Sequence, residues 1–206
     1  KIPLRKEKKI RAQRKSSSSK VTQPRQLSFF KELGLKSVRN SKEHGGDLNL
    51  GRRKEMRPLD RRKTIHVTMR AQKARGPLGF RAQRNFVFIA RMVREKSVKF
   101  GVRVQSWANV GNHLHFHVRM RSRKEFGQFL KSVTAGIARH VTGARRGKKF
   151  GKFWDGLVHT RVLTSRTEEL SLSRYILLNQ VEGQYGTWMR EQLNAAMRGS
   201  NAGPSR

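Results

Sequence analysis

Three histidines stand at alternate positions, His113, His115 and His117, within the run Asn112 to Met120, NHLHFHVRM. In a strand, alternate side chains share a face. These imidazoles and Arg119 therefore project to one side, and Leu114, Phe116, Val118 and Met120 to the other. In-phase neighbours lie ~6.5–7 Å apart along the backbone, so two ring nitrogens can converge on one divalent cation. Taken alone, the alternation is more simply a polar sheet face. A second group is Tyr175 and Asn179, one helical turn apart. Phenol is a weak nucleophile at its usual pKa near ~10 and needs a metal or a base to activate it. The amide of Asn179 offers a ligand oxygen beside it. Leu170, Leu177 and Val181 mark an apolar helix face, with Tyr175 and Asn179 on roughly the opposite side. Taken alone, Tyr175 is an ordinary packing residue.

The elements that must hold these groups follow from the changes of period along the chain. Thr64 to Arg70 (TIHVTMR) alternates and is β-branched, which predicts a strand. Phe86, Ile89, Ala90 and Val93 predict a helix over about 82–98. Val102 to Val110 alternates, Gly111 and Asn112 turn, and His113 to Met120 returns as the second strand of a hairpin. Phe126, Phe129, Leu130, Val133 and Ile137 share one face of a helix over 124–141. A basic, Gly-rich loop (TGARRGKKFGK) leads to a strand from Trp154 to Leu163. Ser165 with Glu168 three residues on is a capping box that opens the helix of Tyr175. Helical phase makes Glu168 a candidate base for Tyr175. A last helix is predicted over 187–198. The order β-α-β-β-α-β-α predicts an α+β, ferredoxin-like (split βαβ) sandwich, an antiparallel sheet with helices on one face.

Four segments together resemble the HUH single-strand transposases, in particular the REP-associated tyrosine transposases. They are HVTMR (66–70), GNHLHFH (111–117), FGKFWDG (150–156) and RYILLNQVEG (174–183), in the family's order and covering about residues 64–185. The resemblance implies a ferredoxin-like fold, with Mg²⁺ or Mn²⁺ held by His113, His115 and Asn179. It implies that Tyr175 attacks a phosphate of single-stranded DNA and leaves a 5′-phosphotyrosine and a free 3′-OH. The chain departs from the pattern at His117, usually aliphatic, at Gln180 for the usual Pro and at Glu182 for the usual Arg. No role is assigned to His66 or His117.

Composition points to the same class of partner. The 206 residues carry 48 Lys and Arg against 13 Asp and Glu, a net charge of +35, which favours a polyanion over an ordinary metabolite. Cysteine is absent, which excludes disulfides, thiolate metal sites and a cysteine nucleophile. No apolar run approaches the ~20 residues of a membrane span, and a bacterial-type, cytoplasmic, nucleoid-associated location is expected. Residues 1–62 hold 20 Lys and Arg against 6 Asp and Glu and read as a largely extended or disordered basic arm, with a short helix over 26–38. The transposase-like domain is expected over 63–198 and a flexible tail over 199–206. The arm should raise affinity for any nucleic acid without setting sequence preference, because phosphate contacts carry no sequence information.

Arg119 and the loop residues Arg145, Arg146, Lys148, Lys149 and Lys152 are candidate nucleic-acid contacts; a solvated basic loop explains the latter five equally well. Two functions compete. One is a metal-dependent endonuclease and strand transferase acting on single-stranded DNA, its substrate bearing a hairpin, as a monomer or homodimer. The other is a non-catalytic DNA- or RNA-binding protein, a ribonucleoprotein component on the same sandwich. The histidine-bearing sheet face, where a base-stacking module shows Phe or Tyr, favours the enzyme.

Overall fold

The computed structural model describes residues 42–46 and 56–199. Its strands are β1 (Glu43–His44), β2 (Ile65–Arg70), β3 (Arg103–Asn109), β4 (His113–Arg119) and β5 (His159–Val162). They form one antiparallel sheet in the order β1-β5-β2-β4-β3. The α-helices among the described residues are α1 (Gln83–Lys99), α2 (Arg123–Thr142), α3 (Arg166–Tyr185) and α4 (Thr187–Gly199). From β2 to β5 the order is β2-α1-β3-β4-α2-β5, with β4 seated between β2 and β3. This is the expected split βαβ arrangement. Among the described residues no helix is long and apolar enough to cross a membrane.

The period-two pattern decides which side chains go where. Ile65, Val67 and Met69 of β2 and Leu114, Phe116 and Val118 of β4 face α1 and α2, and all six are buried. Phe126, Phe129, Val133 and Ile137 of α2 close this core from above, as their spacing predicts. At α2 the Ser122 hydroxyl accepts the Glu125 N–H, and the helix ends at Gly143 with φ +66°, a left-handed conformation that suits glycine. At α3 the Ser165 hydroxyl accepts the Glu168 N–H, as the capping-box spacing requires. The β3–β4 hairpin turns at Gly111, φ +94°.

Several features differ from the sequence reading. α1 and α2 share one sheet face, but the other face is not open, because α3 lies across it over β3 and β4. The last strand is four residues long, and its predicted first part is instead a turn in which the Asp155 N–H donates to the Arg70 carbonyl. Phe86 is half exposed and stacks on Trp107 rather than entering the core. Glu43 and His44, read as loop, add an edge strand to β5. Arg57 donates to the Val158 carbonyl and the Thr160 hydroxyl. These parts of 1–62 therefore belong to the folded domain. The helix predicted over 26–38 and the tail beyond 199 lie outside the described residues.

Arg161 holds the strand edge to α3. It is buried and paired with Glu43 at 2.6 Å and Glu168 at 2.8 Å. Burial raises the pKa of each carboxyl, but the hydrogen bonds and neighbouring cationic partners outweigh it and hold both below the usual value.

Candidate active site

The pleat of β4 aims His113, His115 and His117 at α3, and the register of β2 places Arg70, Thr68 and His66 directly beside them. On α3, Tyr175 and Asn179 face down onto this row, only 6% and 4% exposed. The apolar face assigned from sequence is the outer one: Leu170 is 56% exposed and Leu177 41%. Leu172 and Ile176 are the aliphatic residues that seat α3, together with Tyr175, Ala108 and Leu163. α3 carries apolar residues all around its axis, so periodicity alone could not give its orientation. The placement of Tyr175 is therefore part of the packing.

His115 is the centre of the cluster. Its Nε2 lies 3.5 Å from the Tyr175 hydroxyl oxygen, and its ring meets the phenol edge-on with centroids 5.2 Å apart. Its Nδ1 lies 3.1 Å from His66 Nε2, and the Thr68 hydroxyl is 3.3 Å from each of those nitrogens. A neutral imidazole has one N–H. With the His115 proton on Nδ1, donated to His66, its Nε2 lone pair points toward Tyr175. This gives His66 the role of orienting His115. The His113 ring is T-shaped against His115, 4.8 Å between centroids, and its Nδ1 lies 2.6 Å from Asn112 Oδ1. An amide oxygen only accepts, so Nδ1 is the donor and Nε2 carries the lone pair. Asn179 donates from Nδ2 to the Tyr175 carbonyl at 2.8 Å, which fixes the orientation of its amide and keeps Oδ1 as an acceptor.

The electrostatics keep these rings neutral. Burial holds His66 and His115 well below the usual imidazole value, and the neighbouring histidines, with Arg161 at His66, disfavour a further charge there. Burial and the charges of Arg70 and Arg81 lower His113 from 6.5 to about 4. His117 is also lowered by burial, against the pull of Glu169. Among the described residues neither of its ring nitrogens has a hydrogen-bond partner, nor has the Ser106 hydroxyl in register with it. Among the described residues no three His, Asp or Glu side chains gather as a metal site. Any ion in this cluster would thus depend on two imidazoles and the Asn179 amide.

This burial makes a prediction about acid. Below pH 6.5 the unfolded chain takes up protons that the folded histidines refuse, so stability falls as pH falls. His113 alone, shifted from 6.5 to about 4, costs on the order of 2 kcal/mol between pH 7 and pH 5. Glu43 and Glu168, with lowered values, remain ionised over that window. The thermal midpoint of the metal-free protein should therefore drop by roughly 5 °C or more from pH 7 to pH 5. A flat midpoint would mean that the rings are solvated.

One sequence assignment is not supported. Glu168 is no base for Tyr175, since it accepts the Thr164 N–H at 2.6 Å and pairs with Arg161. Arg119 is exposed at the far end of β4, ~20 Å along the strand from His113. By contrast, Arg145, Arg146, Lys148, Lys149 and Lys152 are exposed on the loop after α2. The Arg145 and Lys148 backbones pair around Gly147. With Arg139 and Phe150, three of these loop residues (Arg145, Arg146 and Lys149) line a groove of about 660 Å³. The following segment ties the loop to the His113 end of the sheet. Lys73 Nζ donates to the Lys152 carbonyl, and Arg70 pairs with Asp155 at 3.4 Å. The sequence reading missed Arg70 and Arg81, the cations acting on His113. Arg70 was recoverable, being in phase with His66 and Thr68. Arg81 follows an irregular turn and had no such signal.

No protein-family model and no curated protein matches the chain. A solved structure of a REP-associated tyrosine transposase bound to a REP hairpin is similar in fold, with a TM-score of 0.53 and 12% sequence identity. The match covers 71% of this chain and 87% of that one. At this identity the likeness establishes the split βαβ fold.

Proposed function

We propose that this protein is a metal-dependent endonuclease and strand transferase for single-stranded DNA, of the HUH tyrosine type. The observation that carries this reading is the meeting of Tyr175 with His115, beside His113 and Asn179, where α3 packs on the histidine face of β4. The fold likeness to a transposase bound to a DNA hairpin supports the choice of partner. His113 Nε2, His115 Nε2 and Asn179 Oδ1 suit Mg²⁺ or Mn²⁺, because the rings are neutral and the third donor is a hard oxygen. Bound there, such an ion would polarise a phosphoryl oxygen of the substrate.

The remaining chemistry falls to the chain. Tyr175 Oη forms a bond to phosphorus as the bond to the 3′ oxygen breaks, and its proton ends on the departing 3′-OH. The product is a 5′-phosphotyrosine that a second 3′-OH can attack to transfer the strand. His66 and Thr68 hold His115 from behind. Tyr175, His113, His115 and Asn179 all come from one chain, which supports action by a monomer, and DNA as substrate fits a nucleoid-associated setting.

The burial of the tyrosine favours a second reading, a non-catalytic nucleic-acid binder, since a phosphate reaches Oη only after α3 shifts. Incubation of the full chain with pools of single-stranded oligonucleotides, with and without hairpins, in Mg²⁺ or Mn²⁺ separates the two. The nuclease gives a protein–DNA adduct that survives denaturation. Binding with no adduct on any strand would establish the second reading.

A further inference from the structure

Arg81 is exposed, yet its side chain is held at both ends of its reach. Its Nε donates to the Asn109 carbonyl at 3.1 Å, at the mouth of the β3–β4 turn that presents His113. Its guanidinium packs close against Gly183 in the last turn of α3. A Cβ at residue 183 would sit 2.6 Å from Arg81 Nη2, 3.0 Å from Cζ and 3.1 Å from Nε. Gly183 has an ordinary helical backbone, with no positive φ to require glycine. Glycine is a poor helix former, so its benefit here is the space it leaves for the guanidinium. No carboxylate among the described residues pairs with Arg81. Its charge reaches His113.

We infer that Arg81, laid on Gly183, is a phosphate-binding residue that clamps the DNA backbone at the rim of the histidine–tyrosine cluster. The inference rests on the reading that this face receives single-stranded DNA. Guanidinium offers a planar fork that fits two phosphate oxygens. Here the fork is held in place before the ligand arrives. Favourable interaction with the C-terminal dipole of α3 is the plainer role for such a cation, and it predicts lost stability rather than lost binding.

The test uses the full chain and a labelled oligothymidine, titrated over a range of salt concentrations. Each phosphate contact on a single strand contributes about 0.7 to the slope of log K against log salt. Arg81→Gln should flatten the slope by about 0.7 with an unchanged melting temperature. Gly183→Ala should flatten it similarly while melting at the same or a higher temperature, since alanine favours the helix but evicts the guanidinium. The double variant should match the single ones. Arg94→Gln, exposed on α1, should keep the wild-type slope. A wild-type slope in Arg81→Gln or in Gly183→Ala would overturn the clamp, as would an equal loss in Arg94→Gln, or additive losses in the double variant. Because this readout involves no cleavage, absence of a covalent adduct in the wild type would remove the nuclease reading and leave the clamp to be judged on its slopes.

Discussion

Tyr175→Phe is expected to fold, to bind single-stranded DNA about as well as wild type, and to form no covalent adduct. The ring stays, so the packing against Leu172, Ile176 and the edge of His115 stays with it. What is removed is the oxygen 3.5 Å from His115 Nε2. That separation is long for a hydrogen bond, so losing it should change the melting temperature little. Tyr185 is the other tyrosine of the chain and is 61% exposed at the end of α3, away from the cluster. Tyr185→Phe should therefore keep the adduct. Denaturing gels of both variants with a labelled strand decide the matter. Adduct surviving in Tyr175→Phe would remove the tyrosine from the chemistry.

Replacing both His113 and His115 by alanine is expected to weaken Mn²⁺ binding by at least about 100-fold, since even the groups behind metal ligands are worth 10–100-fold. Calorimetry with Mn²⁺ on the wild type and the double variant measures it, with a melting curve to show that the variant is folded. If the two cavities prevent folding, His113→Ala alone serves, because that ring is at the rim of the cluster. Equal Mn²⁺ affinity in wild type and a folded variant would place the ion elsewhere.

Much of this arrangement was legible before the structure. Alternation in β2 and β4 set which residues enter the core and which line the histidine face, because a pleat allows two outcomes and the apolar half chooses one. The caps of α2 and α3 were legible because Ser with Glu three residues later satisfies specific N–H groups. The orientation of α3 was not. Leu170, Leu172, Ile176, Leu177, Leu178 and Val181 surround its axis, and only the sheet selects which side is seated. Short, local signals also could not place Glu43 in the sheet, since its partner Arg161 is more than a hundred residues away. Glu168 satisfied helical phase with Tyr175 but was claimed by that same arginine. Arg81 needed Gly183 and Asn109 to be brought together, a juxtaposition that exists only once the chain is folded.

The division of the apolar interior into two unequal clusters has a bearing on how the buried tyrosine can become accessible. The large cluster joins the sheet to α1 and α2, while α3 is seated by a handful of residues. Detaching α3 exposes far less apolar surface than unfolding the whole, so it belongs to the low end of the ladder of sub-global openings. Because Asn179 bonds to the Tyr175 carbonyl, phenol and amide move together on one turn, while the histidines stay with the sheet. The cluster is thus made of two halves whose separation is governed by a local equilibrium, and the phenol can be uncovered while the main core remains protected from hydrogen exchange.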